Sequence, residues 1–347
     1  ITQNVFFLEY KNDKNSEKRF ANDVILNKDI VPTYISLDPS TITGEDIIKS
    51  VFDHEWIDVD SLHHSFLYKK MRERGIRISI DGNTPDETLA GYWDASEIAL
   101  KDAIWPWREY ARYDDLNSIR RYINNYKTDY PKYKSFLRIL LGEENYIHLQ
   151  KSFNGKAKIE TDLRDKYDLV NKSNLTYPQE DKIGGLNYLD SNLYRSFHYH
   201  TTPYLLRMSN KLSMAYGIIS RSPFIDPNLI TYIFSLPSTA KIGGGYTKRI
   251  LRDSMKNLVP NTVLSRKDKR GFTSPIDWYK ENLNDFMLDS MSSADFLEST
   301  IFNGKRIKED YENNNFHPGG NPSKVAMRYI QAMTLENSFK QISKSIT

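Results

Sequence analysis

Ile76-Arg77-Ile78-Ser79-Ile80-Asp81-Gly82-Asn83-Thr84-Pro85-Asp86-Glu87 is the stretch on which the reading of this fold turns. Residues 76–80 are a short apolar strand candidate, divided by Gly75 from a helical stretch over 60–74. Upstream, residues 4–10 (NVFFLEY) read as a buried strand and 16–26 as a helix opened by Ser16-Glu17. Residues 32–37 (PTYISL) read as the next strand and 44–52 as a further helix. The order strand, helix, strand, helix, helix, strand predicts an α/β fold, a parallel sheet flanked by helices.

After Ala90 the pattern changes. Trp93, Ile98, Ala99, Trp105, Trp107 and Tyr110 mark an aromatic helical region, of the kind that fills cores. From there to the end the chain reads as helices separated by polar loops, and residues 154–185 as a long loop or insert. The sequence therefore divides into an α/β part over 1–92 and a mainly helical part over 93–347.

Composition narrows the function classes. With 39% hydrophobic and 27% charged residues the chain has the makeup of a soluble globular protein. No apolar run approaches the roughly 20 residues of a membrane span. The opening carries no basic segment or small-residue cleavage site, so a secretory signal is not expected and cytoplasm is the default. A net charge of +3 argues against a nucleic-acid coat. The absence of cysteine removes disulfides, thiolate zinc and a cysteine nucleophile from this chain. His63-His64 and His198-Tyr199-His200 lack the i, i+4 spacing of a helical zinc pair.

Two segments carry candidate chemistry. The turn after residue 80 lies at the carboxyl end of a parallel strand, where open α/β sheets bind ligands. Gly82 permits close approach of a nucleotide, Asp86 and Glu87 offer hard oxygens for Mg²⁺, and a helix starting near Thr88 would add its first amides. An ordinary loop with Asp86 or Glu87 capping a helix accounts for the same residues. The second segment, Ser265-Arg266-Lys267-Asp268-Lys269-Arg270-Gly271-Phe272-Thr273-Ser274-Pro275-Ile276-Asp277-Trp278, packs four cations ahead of a Gly-Phe corner. It suits a loop holding a lysine over a phosphorylated ligand, and equally a solvated basic loop.

Four motifs in order make the chain resemble the synthetase domain of the asparagine synthetase family, within the PP-loop ATPases. They are the segment from Asp81 to Tyr92; Ser213-Met214-Ala215 with Arg221-Ser222-Pro223-Phe224-Ile225-Asp226; Thr247-Lys248-Arg249-Ile250-Leu251-Arg252; and the basic loop itself. The last stretch, 327–339, is similar to the family's terminal aromatic helix. The resemblance implies an ATP-dependent amide-forming ligase: ATP adenylates a small-molecule or peptide carboxylate, pyrophosphate leaves, and ammonia or an amine displaces AMP. On that resemblance Asp86 would hold Mg²⁺, Lys269 would act on the oxyanion and leaving phosphate, and Asn83 would stand at a proton-relay position. Gly82 and Leu8 would contact AMP, with Lys248 and Arg266 as phosphate neighbours. Arg221 and Asp226 read as structural.

The match also has departures. The family's Ser-Gly-Gly-x-Asp-Ser phosphate loop has no counterpart here, and neither does a glutaminase domain with its leading cysteine. These parts, and the ammonia they would supply, are expected upstream or on a partner chain. Asn83 and Ile219 stand where many relatives have glutamate, which weakens the case for free aspartate as substrate. Cyclisation of a peptide or β-lactam type, and a binding module without catalysis, are the alternative readings.

Overall fold

The computed structural model describes residues 3–11, 16–26, 28–54, 62–92, 94–95, 98–99, 102, 183–267, 269, 278–313 and 322–346. The aromatic region at Trp93, Trp105, Trp107 and Tyr110, nearly all of the 154–185 segment, and Arg270 to Asp277 lie outside them. The first part runs β1 (Gln3–Tyr10), α1 (Lys18–Ile25), β2 (Ile30–Leu37), α2 (Gly44–His54), α3 (Leu62–Glu73), β3 (Ile78–Ile80) and a single turn, α4 (Pro85–Thr88). Then come α5 (Tyr188–His198), α6 (Thr201–Ala215), β4 (Ile219–Arg221), a 3-10 turn (Pro223–Ile225), α7 (Pro227–Ser235) and α8 (Ser238–Lys241). A small hairpin of β5 (Ile242–Gly243) and β6 (Tyr246–Thr247) leads to α9 (Arg249–Ser254) and α10 (Asn261–Leu264). The chain ends in α11 (Trp278–Ser292), α12 (Ala294–Leu297), α13 (Gly304–Glu312) and α14 (Pro322–Ile346).

β1 and β2 pair in parallel from Gln3↔Ile30 to Tyr10↔Leu37, with α1 as the crossover. The start of α1 is tied to the end of β1: the Ser16 hydroxyl donates to Glu9 Oε2 (2.5 Å) and accepts the Lys18 N–H (3.2 Å). β3 pairs in parallel with β4, joining Ile78↔Ile219 and Ile80↔Arg221. Parallel pairing is thus as expected, but the extent differs. The described strands form two separate parallel pairs and one antiparallel hairpin, not one flanked sheet. Ile78 (60% exposed) and Ile80 (75%) lie open on β3, because that face has no covering layer among the described residues.

Burial is concentrated in the helices. The largest core joins Ile47 of α2 and Leu62 of α3 to Met287, Phe296, Ile307 and Ile330 of the C-terminal helices. Within it Phe302 lies tilted against the rings of Phe296 (5.0 Å) and Tyr329 (5.2 Å). A second cluster packs Ala90 against Leu189 and Leu193 of α5 and Ile242 of the hairpin. A third sets Tyr68 of α3 against Met208 and Leu212 of α6. Next to the second cluster, Lys241 is fully buried and donates to Asp190 Oδ1 at 2.6 Å, with Asn187 Nδ2 donating to Oδ2 at 2.8 Å.

Glu336 of α14 clamps the turn between α12 and α13, accepting from Ser299 Oγ and Thr300 Oγ1 (both 2.8 Å) and pairing with Lys340 at 2.7 Å. Burial pushes its carboxyl up, but the hydrogen bonds from Lys340, Ser299 and Thr300 outweigh it and bring the pKa from 4.5 down to about 2. A depressed acid stabilises the fold above its unfolded pKa and loses that contribution as pH falls through the folded one. Glu336→Gln should therefore be less stable than wild type at pH 7, with the gap closing from about pH 4.5 towards pH 2. Urea unfolding at stepped pH reads this out, and a pH-independent gap would exclude the clamp.

Candidate active site

The turn after β3 is stapled to β4. Asp81 accepts from Ser220 Oγ (2.7 Å), Ser222 Oγ (2.5 Å) and the Asn83 N–H (3.2 Å), and its own N–H donates to the Arg221 carbonyl (2.9 Å). These bonds hold the backbone that delivers Asp86. Thr84 then takes a left-handed φ of 92°, and Pro85 opens α4 at the position where a missing N–H costs nothing. The acidic pair forms part of α4 itself, so the helix expected near Thr88 begins at Pro85 instead.

Within that single turn the two carboxylates diverge. Glu87 is 1% exposed and accepts a hydrogen bond from the Tyr92 hydroxyl. Burial pushes its carboxyl above the ordinary range, with the Tyr92 bond pulling partly back. It faces inward and does not reach the cavity as a metal ligand. Asp86 faces the cavity instead. Lys248 Nζ lies 2.7 Å from Oδ1 and Lys269 Nζ 3.5 Å from Oδ2. The Lys248 contact is an ion pair outside hydrogen-bond geometry, which leaves Oδ1 buried with no hydrogen bond.

Backbone strain gathers here. Of four non-glycine residues with positive φ among the described residues, Thr84, Ala90 (59°) and Lys248 (53°) surround Asp86. Such conformations cost about 1–3 kcal/mol each and persist where the surroundings hold them. The Lys248 N–H donates to the Leu89 carbonyl at 3.1 Å, which locks the hairpin exit against α4 and aims the ammonium at Asp86. Gly91 leaves the gap they meet in: a Cβ there would lie 1.9 Å from Asp86 Oδ1 and 2.4 Å from Lys248 Cε.

A cavity of about 460 Å³ opens over this group. Its lining combines the charged Asp86, Lys248, Lys267, Lys269 and Arg266 with the apolar Leu251, Met255, Val259 and Val263. Arg266 is fixed at the rim, 2.7 Å from Glu17 Oε1 and 4.3 Å over the Phe20 ring. Arg252 braces the approach by donating to the carbonyls of Thr247 (2.8 Å) and Leu264 (2.7 Å).

The structure thus brings together four of the expected residues: Asp86, Lys248, Lys269 and Arg266. Gly82, Asn83 and Leu8 are not among the residues lining the cavity, and Leu8 sits in β1 opposite Ile35. Asp226 is structural, capping α7 by accepting the N–H groups of Asn228 (3.0 Å) and Leu229 (3.1 Å). Gly91, Glu87 in its inward role and Tyr92 were not found from sequence; the Gly-Tyr pair closing the first motif was the available signal.

Among the described residues no group of three or more His, Asp or Glu could cage a metal. Mg²⁺ in phosphate-handling sites is commonly held by one or two carboxylates and completed by the substrate's phosphates. A single Asp86 with a buried oxygen lacking a hydrogen bond fits that donor set, provided the Lys248 ammonium moves onto phosphate.

Gly91→Ala tests the packing. The added Cβ would sit 2.7 Å from the Asp86 Cα, a backbone clash that no rotamer relieves. We expect a loss of about 1–3 kcal/mol in urea unfolding. An unchanged unfolding midpoint would show that the backbone around Asp86 yields to the added Cβ.

The chain is similar to known proteins. The family model described as asparagine synthase matches residues 4–333. The glutamine-hydrolysing asparagine synthetase 1 of Bacillus subtilis (strain 168) is 27% identical over 244 residues, covering 68% of this chain and 37% of that protein. The human glutamine-hydrolysing asparagine synthetase is 28% identical over 113 residues, 30% of this chain and 20% of that protein. A putative glutamine-hydrolysing asparagine synthetase of Mycobacterium bovis is 39% identical over 72 residues, 21% of this chain and 11% of that protein. The chain therefore spans well under half the length of these curated relatives. With the family model running across nearly its whole length, the chain belongs to the asparagine synthase family.

Proposed function

We propose that this chain carries the synthetase chemistry of an ATP-dependent amide-forming ligase. The observation that supports it most is Asp86 facing Lys248 and Lys269 across a cavity rich in cations. In the first step a substrate carboxylate attacks the α-phosphorus of ATP, forming an acyl adenylate and expelling pyrophosphate. In the second an amine, or ammonia, attacks the acyl carbon, AMP leaves with the C–O bond pair, and the amine sheds a proton.

Both steps build negative charge on a departing phosphate. Lys248 and Lys269 lie where fixed cations neutralise such charge without solvent reorganisation. Asp86 would hold Mg²⁺ through its cavity-facing carboxylate. When bound, that ion would offset the charge of the phosphates. Before a nucleotide arrives, Asp86 keeps the two ammonium groups from repelling each other out of the cavity. The acyl substrate, and a source of ammonia upstream or on a partner chain, belong to the same proposal.

The test is carboxylate-dependent ATP–pyrophosphate exchange across a panel of sugar acids, amino acids and peptide acids. Lys269→Ala should lower exchange by about 10² or more while leaving the unfolding midpoint near wild type. Asp86→Asn should raise the Mg²⁺ concentration needed for half-maximal rate. Full exchange in Lys269→Ala would remove that lysine from the chemistry, and no exchange by wild type with any acid would overturn the ligase reading.

A further inference from the structure

The described cations of the basic loop each rest on an aromatic ring. Arg266 lies 4.3 Å over Phe20 of α1, Lys267 5.2 Å over Tyr246 of β6, and Lys269 5.4 Å over Tyr92. The three rings come from three separate parts of the chain, and all the distances fall within the range of cation–π attraction. The loop is therefore laid on an aromatic bed as well as being drawn to carboxylates.

We propose that Tyr92, anchored by Glu87, is the positioning residue for Lys269. Its role in turnover rests on the ligase reading above; the contact itself does not. The ring is fixed at both ends. Its backbone follows Gly91, whose N–H donates to the Asp86 carbonyl at 2.9 Å, and its hydroxyl donates to the buried Glu87 carboxylate. A carboxylate that is 1% exposed needs such a donor, so the Glu87 bond holds the ring as firmly as the ring satisfies Glu87. Burial, with Glu87 alongside, pushes the Tyr92 hydroxyl up, so it stays protonated as the donor at physiological pH.

Among the described residues, Lys269 has two supports of different kinds. Asp86, at 3.5 Å, is one that a phosphate-bound cation competes for. The ring face carries no formal charge and is not competed away. When Asp86 turns to a ligand, Tyr92 keeps the ammonium over the cavity, ready for the leaving phosphate. Asp86 and Glu87, neighbours on one helical turn, divide the work: one faces the ligand, the other holds the residue that aims the lysine.

The test pairs Tyr92→Phe with Tyr92→Leu in the full chain. In ATP–pyrophosphate exchange, Tyr92→Leu should lower kcat about tenfold with KM for ATP changed less than about threefold, and Tyr92→Phe should stay within about threefold of wild type. Both variants deprive buried Glu87 of its donor and lower the unfolding midpoint whatever the ring does, so the discriminating readout is the kcat–KM split in Tyr92→Leu, which a merely structural role would not produce. A second readout needs no activity. After reductive ¹³C-methylation, which keeps the charge, the Lys269 dimethylammonium signal (assigned by its loss in Lys269→Arg) should be shifted upfield by the Tyr92 ring. That shift should persist in Tyr92→Phe and vanish in Tyr92→Leu. A wild-type signal at the position of exposed lysines overturns the inference, even if Tyr92→Leu does not fold. A shift that behaves as expected, with no exchange by wild type, would sink the ligase reading and leave the Tyr92–Lys269 contact standing.

Discussion

One carboxylate facing two ammonium groups sets the terms for the rest of this structure. Asp86 can meet Lys248 and Lys269 only if three remote segments converge: the turn after β3, the exit of the β5–β6 hairpin and the basic loop. Each convergence has its own fastening. Asp81 is pinned by two serines of the β4 strand and its exit, Lys248 by the Leu89 carbonyl, and the basic loop by Arg252 and the aromatic rings. The left-handed backbones at Thr84, Ala90 and Lys248 are the local cost of that convergence.

A second acid–lysine pair shows what a purely structural version looks like. Lys241 and Asp190 are sealed together, with Asn187 and Ser238 completing the carboxylate and Phe234 beneath the ammonium at 5.4 Å. Nothing there is left over for a ligand. Around Asp86 the side chains stay about a quarter exposed and one carboxylate oxygen has no hydrogen bond. On the proposed reading, that openness is what the phosphates of a ligand would meet.

Much of this was legible in the sequence, and the limits have physical causes. The strands at 4–10 and 32–37 appear as β1 and β2 because short apolar runs bounded by polar segments have few other uses. Asp86, Lys248 and Lys269 were reachable because their motifs lie in order along the chain. The partner of β3 was not, since strand pairing across most of the chain leaves no local mark. The opposite facing of Asp86 and Glu87 was hidden too: one turn is too short for a period to tell inside from outside. The strained backbones fall on Thr, Ala and Lys, where sequence gives no glycine to mark them. Leu8 and Asn83 were assigned by motif position, and the cavity is lined by other residues.

The hydrogen bond from Thr262 Oγ1 to Asp23 Oδ2 spans 239 residues, and with Arg266 on Glu17 it ties the foot of the basic loop to α1. Bringing together residues so far apart in sequence carries a loop-closure entropy that these contacts must offset. A chain still being synthesised carries the acidic turn long before it has the lysines to meet it. The charges around Asp86 come into register only once α1 and the foot of the basic loop have met.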